Sequence, residues 1–396
     1  MSGLLPVDEA QARLLALRAP LDTETVDFSQ SLGRYISEDI IARRDQPAAA
    51  LSAMDGYAIR FADLPGPLTI AGEVPAGTLP TVPLRPGEAI RIFTGAMLPG
   101  GADTVVVQED VAAEEGMLRL TGDGPGAPGK HIRARASDFA EGERLVAAGS
   151  PVTPGAIAAA IMGGTSGLRV GGRPRVAVLT TGDELVPPGH ALAPGQIPDS
   201  NGAMLAAMLA QTPAEAGLPH HAPDDRAMLS HVISELARRH DVILTVGGAS
   251  VGDHDHVRGA LEDAGGRVEF WRIAMRPGKP LIAGTIGDTL LLGLPGNPSS
   301  AFVTASLFLL PLIRHLAGAA APLPEIRRAP LAADLSAGNS RRDYLRARLV
   351  DGALVLLDGQ DSGRTFPLAA AEALVIREIG APARAAGAMA DYIAVA

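Results

Sequence analysis

Three polar, glycine-rich loops between residues 241 and 300 carry the side chains best suited to chemistry. They comprise residues 247–255, 276–280 and 294–300, and each is attached to an apolar run typical of a strand. Backbone N–H groups exposed at glycine, a helix N-terminus and Lys279 would together form a cradle for an anion. Asp253 and Asp255 lie beside this cradle in sequence. Because carboxylate pairs bind divalent cations, the pattern predicts a phosphorylated or otherwise anionic ligand handled with Mg²⁺.

The first loop leaves the identity of the metal open. Gly247 and Gly248 would let the backbone approach a ligand, and Ser250 adds a hydroxyl. His254 and His256 alternate with the aspartates and make Zn²⁺ an alternative. The other groups are oxygen donors, which favours Mg²⁺. In the plainer interpretation the loop binds nothing and one aspartate caps the next helix.

Three further clusters have both a functional and a structural interpretation. Residues 180–184, Thr-Thr-Gly-Asp-Glu, follow a predicted strand and could hold a metal or a ribose, or form a turn capped by Asp183. Residues 295–300 open an apolar helix, where the helix dipole would favour an anion, or they simply cap that helix. Residues 52–60 place Asp55 beside a glycine, either in a polar site or in a tight turn.

Lysine is rare in this chain and its placement is informative. Only two of the 34 cationic residues are lysines, Lys130 and Lys279, and both lie in glycine-containing loops. A lysine ammonium is a compact point charge that suits a phosphate. We therefore favour ligand contact for Lys279 over Lys130, with chance placement as the alternative.

Composition limits the class of protein. The 396 residues are 47% hydrophobic and 20% charged, which is typical of a globular protein with two to four domains. A formal net charge of −10 without a basic run argues against nucleic-acid binding. The absence of cysteine excludes disulfides and thiolate metal sites. The first ten residues lack a basic leader, and the apolar run at 301–313 is too short to span a bilayer, so we expect a cytoplasmic protein without membrane contact.

Changes of pattern along the chain predict a multidomain fold of class α/β plus β. Short apolar runs among many glycines and prolines indicate a β-rich domain inserted into a helical one. Alternating strands and helices indicate an α/β domain with a mostly parallel sheet. The predicted domains are an N-terminal helical linking domain at residues 1–45 and 146–172, an inserted β-rich domain at 46–145, an α/β domain at 173–319 and a small C-terminal β domain at 320–396.

Within this organisation the polar loops fall at one edge of the sheet. Ligands of such sheets bind at the carboxyl ends of the strands, so the loops after residues 180, 246 and 292 should lie together. Helical spacing predicts a first helix over residues 7–17 and a second within 22–39. The predicted strands of the sheet are 175–180, 241–246, 268–275, 281–286 and 289–292.

These motifs, in this order, resemble those of the molybdopterin molybdenumtransferases. The resemblance covers nearly the whole chain, and the matching segments are residues 52–58, 91–96, 101–109, 181–185, 247–253, 276–280 and 294–298. Members of that family insert molybdate into adenylylated molybdopterin, hydrolyse the adenylate, and release AMP and molybdenum cofactor. The resemblance implies that residues 173–319 form a three-layer, molybdopterin-binding α/β domain. It also implies a homodimer in which this domain faces the β-rich domain of the partner subunit.

The resemblance further implies roles for individual residues. Glu184 and Asp255 would hold Mg²⁺ and act in catalysis with Lys279, and Asp55 and Thr94 of the partner subunit would complete the site. The residues implied in substrate binding are Arg133, Asp138, Asp224, Ser250, Arg276, Pro295, Gly296, Asn297, Arg341 and Ser362.

The chain also departs from the family pattern, and two other functions stay open. Ala136-Ser137 replaces the usual Gly-Glu, Arg276 stands where lysine is common, and residues 371–373 differ as well. One alternative is a molybdopterin adenylyltransferase, which would not need the inserted and C-terminal domains. The other is a non-enzymatic molybdopterin-binding scaffold. In the favoured interpretation we expect contact with the upstream molybdopterin adenylyltransferase.

Overall fold

The computed structural model describes residues 4–248 and 256–395, which divide into two compact units. Unit 1 comprises Met1–Ser37, Ala148–Val152 and Arg169–Ala396, and unit 2 comprises Glu38–Ala147 and Thr153–Leu168. Unit 2 is formed by two separate stretches of the chain, with residues of unit 1 before, between and after them. This arrangement is compatible with a β-rich domain inserted into another domain. The boundaries of the four predicted domains stay a prediction.

The helices agree with the sequence pattern except near the N-terminus. The first runs over Val7–Ala16, as the spacing predicts. The second helix predicted within 22–39 is wrong, because strand β1 (Thr23–Val26) and a single 3₁₀ turn lie there instead. Two β-branched threonines and a valine in that segment favour a strand. In the described residues the α-helices are α1 (Val7–Ala16), α2 (Pro154–Met162), α3 (Ser200–Ala210), α4 (Arg226–Ala237), α5 (His256–Asp263), α6 (Pro298–Thr304) and α7 (Leu310–Leu316).

Unit 2 is β-rich, as predicted. Its strands are β2 (Ile40–Ile41), β3 (Leu51–Ser52), β4 (Gly56–Ile59), β5 (Leu68–Val74), β6 (Glu88–Ile92), β7 (Thr104–Val107), β8 (Val111–Glu114), β9 (Met117–Leu120), β10 (Ile132–Arg133) and β11 (Arg144–Val146). Six of them form a sheet in the order β7-β4-β6-β5-β9-β8. Alternate side chains point to opposite faces, so Ala58 and Ile90 join one core while Tyr57 and Ile59 join another.

The α/β part of unit 1 is built on a seven-stranded sheet. The strands of this part of the chain are β12 (Leu168–Gly171), β13 (Arg175–Thr181), β14 (Leu185–Val186), β15 (Ile197–Pro198), β16 (Glu215–Ala216), β17 (His220–Ala222), β18 (Val242–Val246), β19 (Arg267–Trp271), β20 (Met275–Arg276), β21 (Ile282–Ile286) and β22 (Thr289–Leu294). The sheet order is β16-β13-β18-β22-β21-β19, with β17 also on β13. The pairs among β13, β18 and β22 are parallel, as predicted.

The sheet is mostly parallel, as predicted, and has an antiparallel edge that the prediction did not specify. β21 pairs antiparallel with β22 and with β19. A two-residue turn, Gly287-Asp288, joins β21 to β22, and so short a connection can link only antiparallel strands. The strand predicted over 268–275 is also interrupted, because Arg272 has a φ of +79°. Met275 and Arg276 then pair with another sheet.

Both faces of this sheet are covered, which gives the three layers expected. Val242 and Leu244 face a core that contains the helix Pro298–Leu316, and Ile243 faces α4 and α5. α6 and α7 join through a π-helical turn, Ala305–Leu309. Among the described residues, Pro298–Leu316 is the one helix long and apolar enough to cross a membrane, yet 78% of its apolar window is buried. That burial is typical of a core helix.

The C-terminal part of unit 1 is a small β structure, as predicted. Its strands are β23 (Arg327–Pro330), β24 (Arg342–Val350), β25 (Ala353–Leu356), β26 (Ala373–Arg377) and β27 (Met389–Ala394). They form a sheet in the order β20-β24-β26-β27-β23, with β25 on β24. Because β20 comes from the α/β part, this sheet fixes the segment that leads into residues 276–280.

Candidate functional site

A cleft of about 700 Å³ opens at the carboxyl edge of the parallel strands. β13, β18 and β22 all end here, and residues from each of the three following loops line it. The prediction that these loops lie together is therefore confirmed. Their lining residues are Thr180, Thr181, Glu184, Leu185, Val246, Gly247, Gly248, Pro295, Gly296, Asn297 and Pro298.

The loop after β18 needs glycine at the wall of the cleft. Gly247 and Gly248 have φ values of +96° and +58°. A Cβ atom on Gly247 would lie 2.5 Å from the carbonyl oxygen of Thr181. The Thr181 side chain is only 3% exposed, and its hydroxyl has no hydrogen-bond partner among the described residues. A buried hydroxyl without a partner is costly, which is consistent with a bound ligand or water at this wall.

An acidic corner of the cleft is formed by Glu184 and Asp224, both predicted site residues. The backbone N–H of Asp224 donates to Asp183 Oδ1 at 3.2 Å, so Asp183 also has the structural role considered for it. Burial raises the pKa of Asp224, and the charges of Asp183 and Glu184 raise it further, against an opposing effect of His256. Such mutual repulsion between carboxylates favours a cation at this corner.

The N-terminus of α3 forms a wall that the sequence interpretation missed. Asp199, Ser200 and Asn201 all line the cleft. Thr180 Oγ1 donates to Asp199 Oδ2 at 2.7 Å, and Asn201 Nδ2 donates to the carbonyl oxygen of Gly296 at 2.6 Å. Asp199 also accepts from the third N–H of the helix, so in sequence Asp-Ser-Asn indicates only a helix cap.

A loop from the C-terminal part closes one side of the cleft through Gly363 and Thr365. Asn297 Nδ2 donates to Ser362 Oγ at 3.1 Å, and the N–H of Ser299 donates to the carbonyl oxygen of Ser362 at 3.2 Å. Two predicted site residues 65 positions apart, Asn297 and Ser362, are thus brought into contact.

The cationic residues predicted to bind the substrate, Arg276, Lys279 and Arg341, are not among the described residues that line the cleft. Arg276 and Lys279 are exposed, whereas Pro280 of the same loop lines the cleft. Arg341 Nη1 donates to the carbonyl oxygen of Met275 at 3.4 Å, beside that loop. Ligand contact by these three residues stays a prediction.

Unit 2 brings together two other predicted residues. Asp55 Oδ1 accepts from the N–H of Thr94 at 2.7 Å and from its Oγ1 at 2.9 Å. These two bonds hold the pKa of Asp55 below its usual value. Arg91, which the sequence interpretation passed over, stacks on Tyr57 at 5.0 Å from the ring centroid and contributes a positive charge near Asp55.

The other predicted residues of unit 2 are not joined to this pair by any contact described. Arg133 lies on β10, opposite Leu51 of β3. The N–H of Asp138 donates to the carbonyl oxygen of Gln46. Lys130 is exposed. Their implied roles stay predictions.

The structure describes only Gly247 and Gly248 of the first loop. Ser250 and Asp255, together with Asp253 and His254, lie outside the described residues. Within residues 4–248 and 256–395, no group of three or more histidine, aspartate or glutamate side chains is arranged to hold a metal ion. Glu184 is thus the one predicted metal ligand that the structure locates.

Protein families and solved structures similar to this chain have the same multidomain organisation. Residues 5–164 match the MoeA N-terminal region (domain I and II), residues 177–315 a probable molybdopterin binding domain, and residues 328–395 the MoeA C-terminal region (domain IV). Two crystal structures of a molybdopterin biosynthesis MoeA protein from Pyrococcus horikoshii match with TM-scores of 0.80 and 0.84, at 30% and 25% identity. Both matches cover 99% of this chain, and 99% and 100% of theirs. The fold and these matches therefore define a multidomain protein whose α/β domain is similar to the probable molybdopterin binding domain.

Curated relatives narrow the class. A molybdopterin molybdenumtransferase from Nostoc is 36% identical over 380 residues, which is 91% of this chain and 86% of the relative. Molybdopterin molybdenumtransferase 2 of Mycobacterium tuberculosis is 37% identical over 337 residues, covering 82% of this chain and 83% of the relative. The chain belongs to the molybdopterin molybdenumtransferases, the transferases of molybdenum cofactor biosynthesis.

Proposed function

We propose that this protein inserts molybdate into adenylylated molybdopterin, with Mg²⁺-dependent hydrolysis of the adenylate and release of AMP and molybdenum cofactor. The observation that carries the proposal is the cleft at the carboxyl edge of the α/β sheet. It combines backbone, hydroxyl and amide groups suited to a phosphate with the acidic corner at Glu184 and Asp224. Membership of the family supports the same reaction.

Cleavage of the adenylate breaks a phosphoanhydride bond. A water oxygen adds to one phosphorus atom, the bridging oxygen leaves with the other phosphate, and the water proton passes to solvent or to a nearby carboxylate. Such reactions depend on positioning and on charge neutralisation, not on a protein nucleophile. The Thr181 hydroxyl and the Gly248 N–H are the donors that would orient the phosphates, whereas the Gly247 N–H already donates to the carbonyl oxygen of Leu294. A chain without cysteine is compatible with this chemistry.

The residues of the acidic corner fit Mg²⁺ in their donor chemistry. Glu184 and Asp224 offer carboxylate oxygens, which hard divalent cations prefer. Burial raises the pKa of Asp224, and the negative charges of Asp183 and Glu184 raise it further, so a cation here would relieve the repulsion between the carboxylates. Glu184 would hold the metal together with Asp255, which lies outside the described residues. When bound, Mg²⁺ would supply positive charge to the phosphates of the substrate.

The quaternary arrangement is part of the proposal. The protein would act as a homodimer, and Asp55 and Thr94 of the partner subunit would complete each cleft. The hydrogen bonds from Thr94 support a role that needs a fixed, ionised Asp55 carboxylate. We further propose a cytoplasmic protein that receives its substrate from the upstream molybdopterin adenylyltransferase.

Release of AMP tests the proposed function. Purified protein is incubated with adenylylated molybdopterin, with and without molybdate and Mg²⁺, and AMP is measured. We expect AMP release that depends on both. Consumption of ATP with unmodified molybdopterin would instead indicate an adenylyltransferase. Binding of adenylylated molybdopterin without AMP release would indicate a scaffold.

A further inference from the structure

An arginine lies fully buried behind the loop that closes the cleft. Arg346 on β24 is 0% exposed. Its Nη2 donates to the carbonyl oxygens of Gly359 and Asp361, at 3.1 and 3.2 Å. Its Nε and Nη1 have no partner among the described residues. Hydrogen bonds from a charged donor are stronger than neutral ones, and burial removes competition from water, so the two contacts that Arg346 makes with this loop should hold the loop firmly.

Gln360 anchors the same loop to the same strand. Its Oε1 accepts from the N–H of Arg346 at 3.0 Å, and its Nε2 donates to the carbonyl oxygens of Arg346 and Leu357, each at 2.8 Å. Residues 359–361 are therefore held through both the side chain and the backbone of Arg346. We call Arg346 and Gln360 the clamp.

The clamped segment leads directly into the cleft. Ser362 follows it and contacts Asn297 and the N–H of Ser299, at the N-terminus of α6. Ser299 Oγ donates to the carbonyl oxygen of Arg364 at 2.7 Å. Gly363 and Thr365 line the cleft, whereas Arg346 and Gln360 are not among the described lining residues. The clamp can affect a ligand only through this loop.

We propose that Arg346 and Gln360 are positioning residues that set the affinity for molybdate by fixing loop 359–365 against the N-terminus of α6. The proposal rests on the proposed function. Asn297, whose amide is hydrogen-bonded to Ser362, and Thr365 line the side of the cleft that this loop closes. Their amide and hydroxyl groups are hydrogen-bond donors that suit a tetrahedral oxyanion. If the clamp is released, these donors lose their fixed spacing while the acidic corner keeps its own contacts.

Substitution of the clamp with steady-state kinetics tests this inference. Gln360→Ala removes three hydrogen bonds from a half-buried side chain and spares the buried guanidinium. We expect a KM for molybdate raised about tenfold with kcat little changed, as expected for the loss of a few net hydrogen bonds. The KM for adenylylated molybdopterin should change much less. Arg346→Met should have the same effect or a larger one. Arg348→Met is the matched control, because Arg348 lies on the same strand but is exposed.

A double-mutant cycle separates positioning from general loosening. On a Ser362→Ala background, Gln360→Ala should add little to the KM for molybdate, because both substitutions act through the same contact between Ser362 and Asn297. Additive effects, or an unchanged KM for molybdate in Gln360→Ala, would overturn the proposal. If Arg346→Met does not fold, the Gln360→Ala variant and the double-mutant cycle still test the positioning role of the clamp.

Hydrogen exchange tests the clamp independently of activity. Amides of residues 359–365 should exchange faster in Gln360→Ala than in the wild type, with the amides of β26 unchanged. Unchanged exchange in the loop would refute the clamp. If the wild type releases no AMP, the proposed function fails, and the exchange result still shows whether the clamp holds the loop.

Discussion

Individual side chains in this protein are set for different charge states by their immediate neighbours. Asp55 accepts two hydrogen bonds from Thr94, which favours the ionised carboxylate. Asp224 is partly buried beside Asp183 and Glu184, which favours the protonated form. The two aspartates therefore have pKa values shifted in opposite directions, and each shift has a cause that a single substitution can remove.

Thr94→Val should raise the pKa of Asp55. The substitution removes the bond from Oγ1 and leaves the backbone N–H, so the pKa should stay somewhat below the ordinary value for aspartate. Because the folded pKa lies below the unfolded one, the associated stabilisation is present above the unfolded pKa. It is lost as the pH falls through the folded value. Titration of the Asp55 carboxyl carbon by NMR measures the change, with Thr78→Val as the control. A pKa that stays the same in Thr94→Val would contradict this explanation.

Glu184→Gln should lower the pKa of Asp224. The substitution removes one negative charge, while burial and Asp183 continue to raise the pKa, so the decrease should be partial. The same NMR titration measures it. Glu262→Gln, whose side chain is paired with Arg258 on α5, is the control and should leave the titration unchanged. An unchanged titration in Glu184→Gln would show that the two carboxylates do not interact.

The site residues that sequence could identify are those in short motifs after strands. Glu184, Gly296 and Asn297 were predicted from their loops, and all three line the cleft. Asp199 and Asn201 were missed, because before a helix such residues indicate a cap, and only the fold shows that this helix begins at the cleft. The contact between Asn297 and Ser362 joins residues 65 positions apart, which no local pattern can indicate.

At the level of elements, the parallel strands bring three loops to one edge of the sheet. Gly247 lets the loop after β18 approach the loop after β13. β13, β18 and β22 end at the same edge because they are parallel and in register. Sequence patterns predicted these strands closely, since buried strands are long apolar runs. The short β20 could not be predicted, because its partner β24 comes from a distant part of the chain.

Gly247→Ala should destabilise the fold around the cleft. The residue has a φ of +96°, and the new Cβ would lie 2.5 Å from the Thr181 carbonyl oxygen. Strain at such a position costs on the order of 1–3 kcal/mol, and the backbone contact adds to it. Gly189→Ala is the control for φ alone, because it has a φ of +86° and open space around the Cβ. Thermal unfolding should show the larger decrease in Tm for Gly247→Ala, and equal decreases would refute a steric role.

For the whole molecule, the proposed homodimer explains why two units of the chain carry predicted site residues. Asp55 and Thr94 lie in unit 2, whereas Glu184, Asp224 and Asn297 lie in unit 1. The proposed site needs both sets. The multidomain fold itself could be predicted because its composition changes along the chain, but pairing between subunits leaves no pattern in one sequence.

Mixing two inactive variants tests the shared site. Asp55→Ala and Glu184→Ala should each lose AMP release. An equal mixture, after exchange of subunits, should recover about a quarter of the wild-type activity, because half of the dimers are mixed and one of their two clefts is intact. Native mass spectrometry of the mixture, with one variant isotopically labelled, controls for exchange. If exchange occurs without recovery, each cleft is completed within one subunit.

AMP release by Glu184→Gln tests the central claim, which is that the cleft at the carboxyl edge of the α/β sheet cleaves the adenylate. A single-turnover assay with adenylylated molybdopterin, molybdate and Mg²⁺ compares it with the wild type and with Glu215→Gln. Glu215 is exposed and lies on β16, opposite Arg175 at the end of β13 that is remote from the cleft. We predict a rate for Glu184→Gln lowered by about 10²-fold or more, as for loss of a charge that acts in the transition state, and a normal rate for Glu215→Gln. A rate for Glu184→Gln equal to that of the wild type would place the reaction elsewhere.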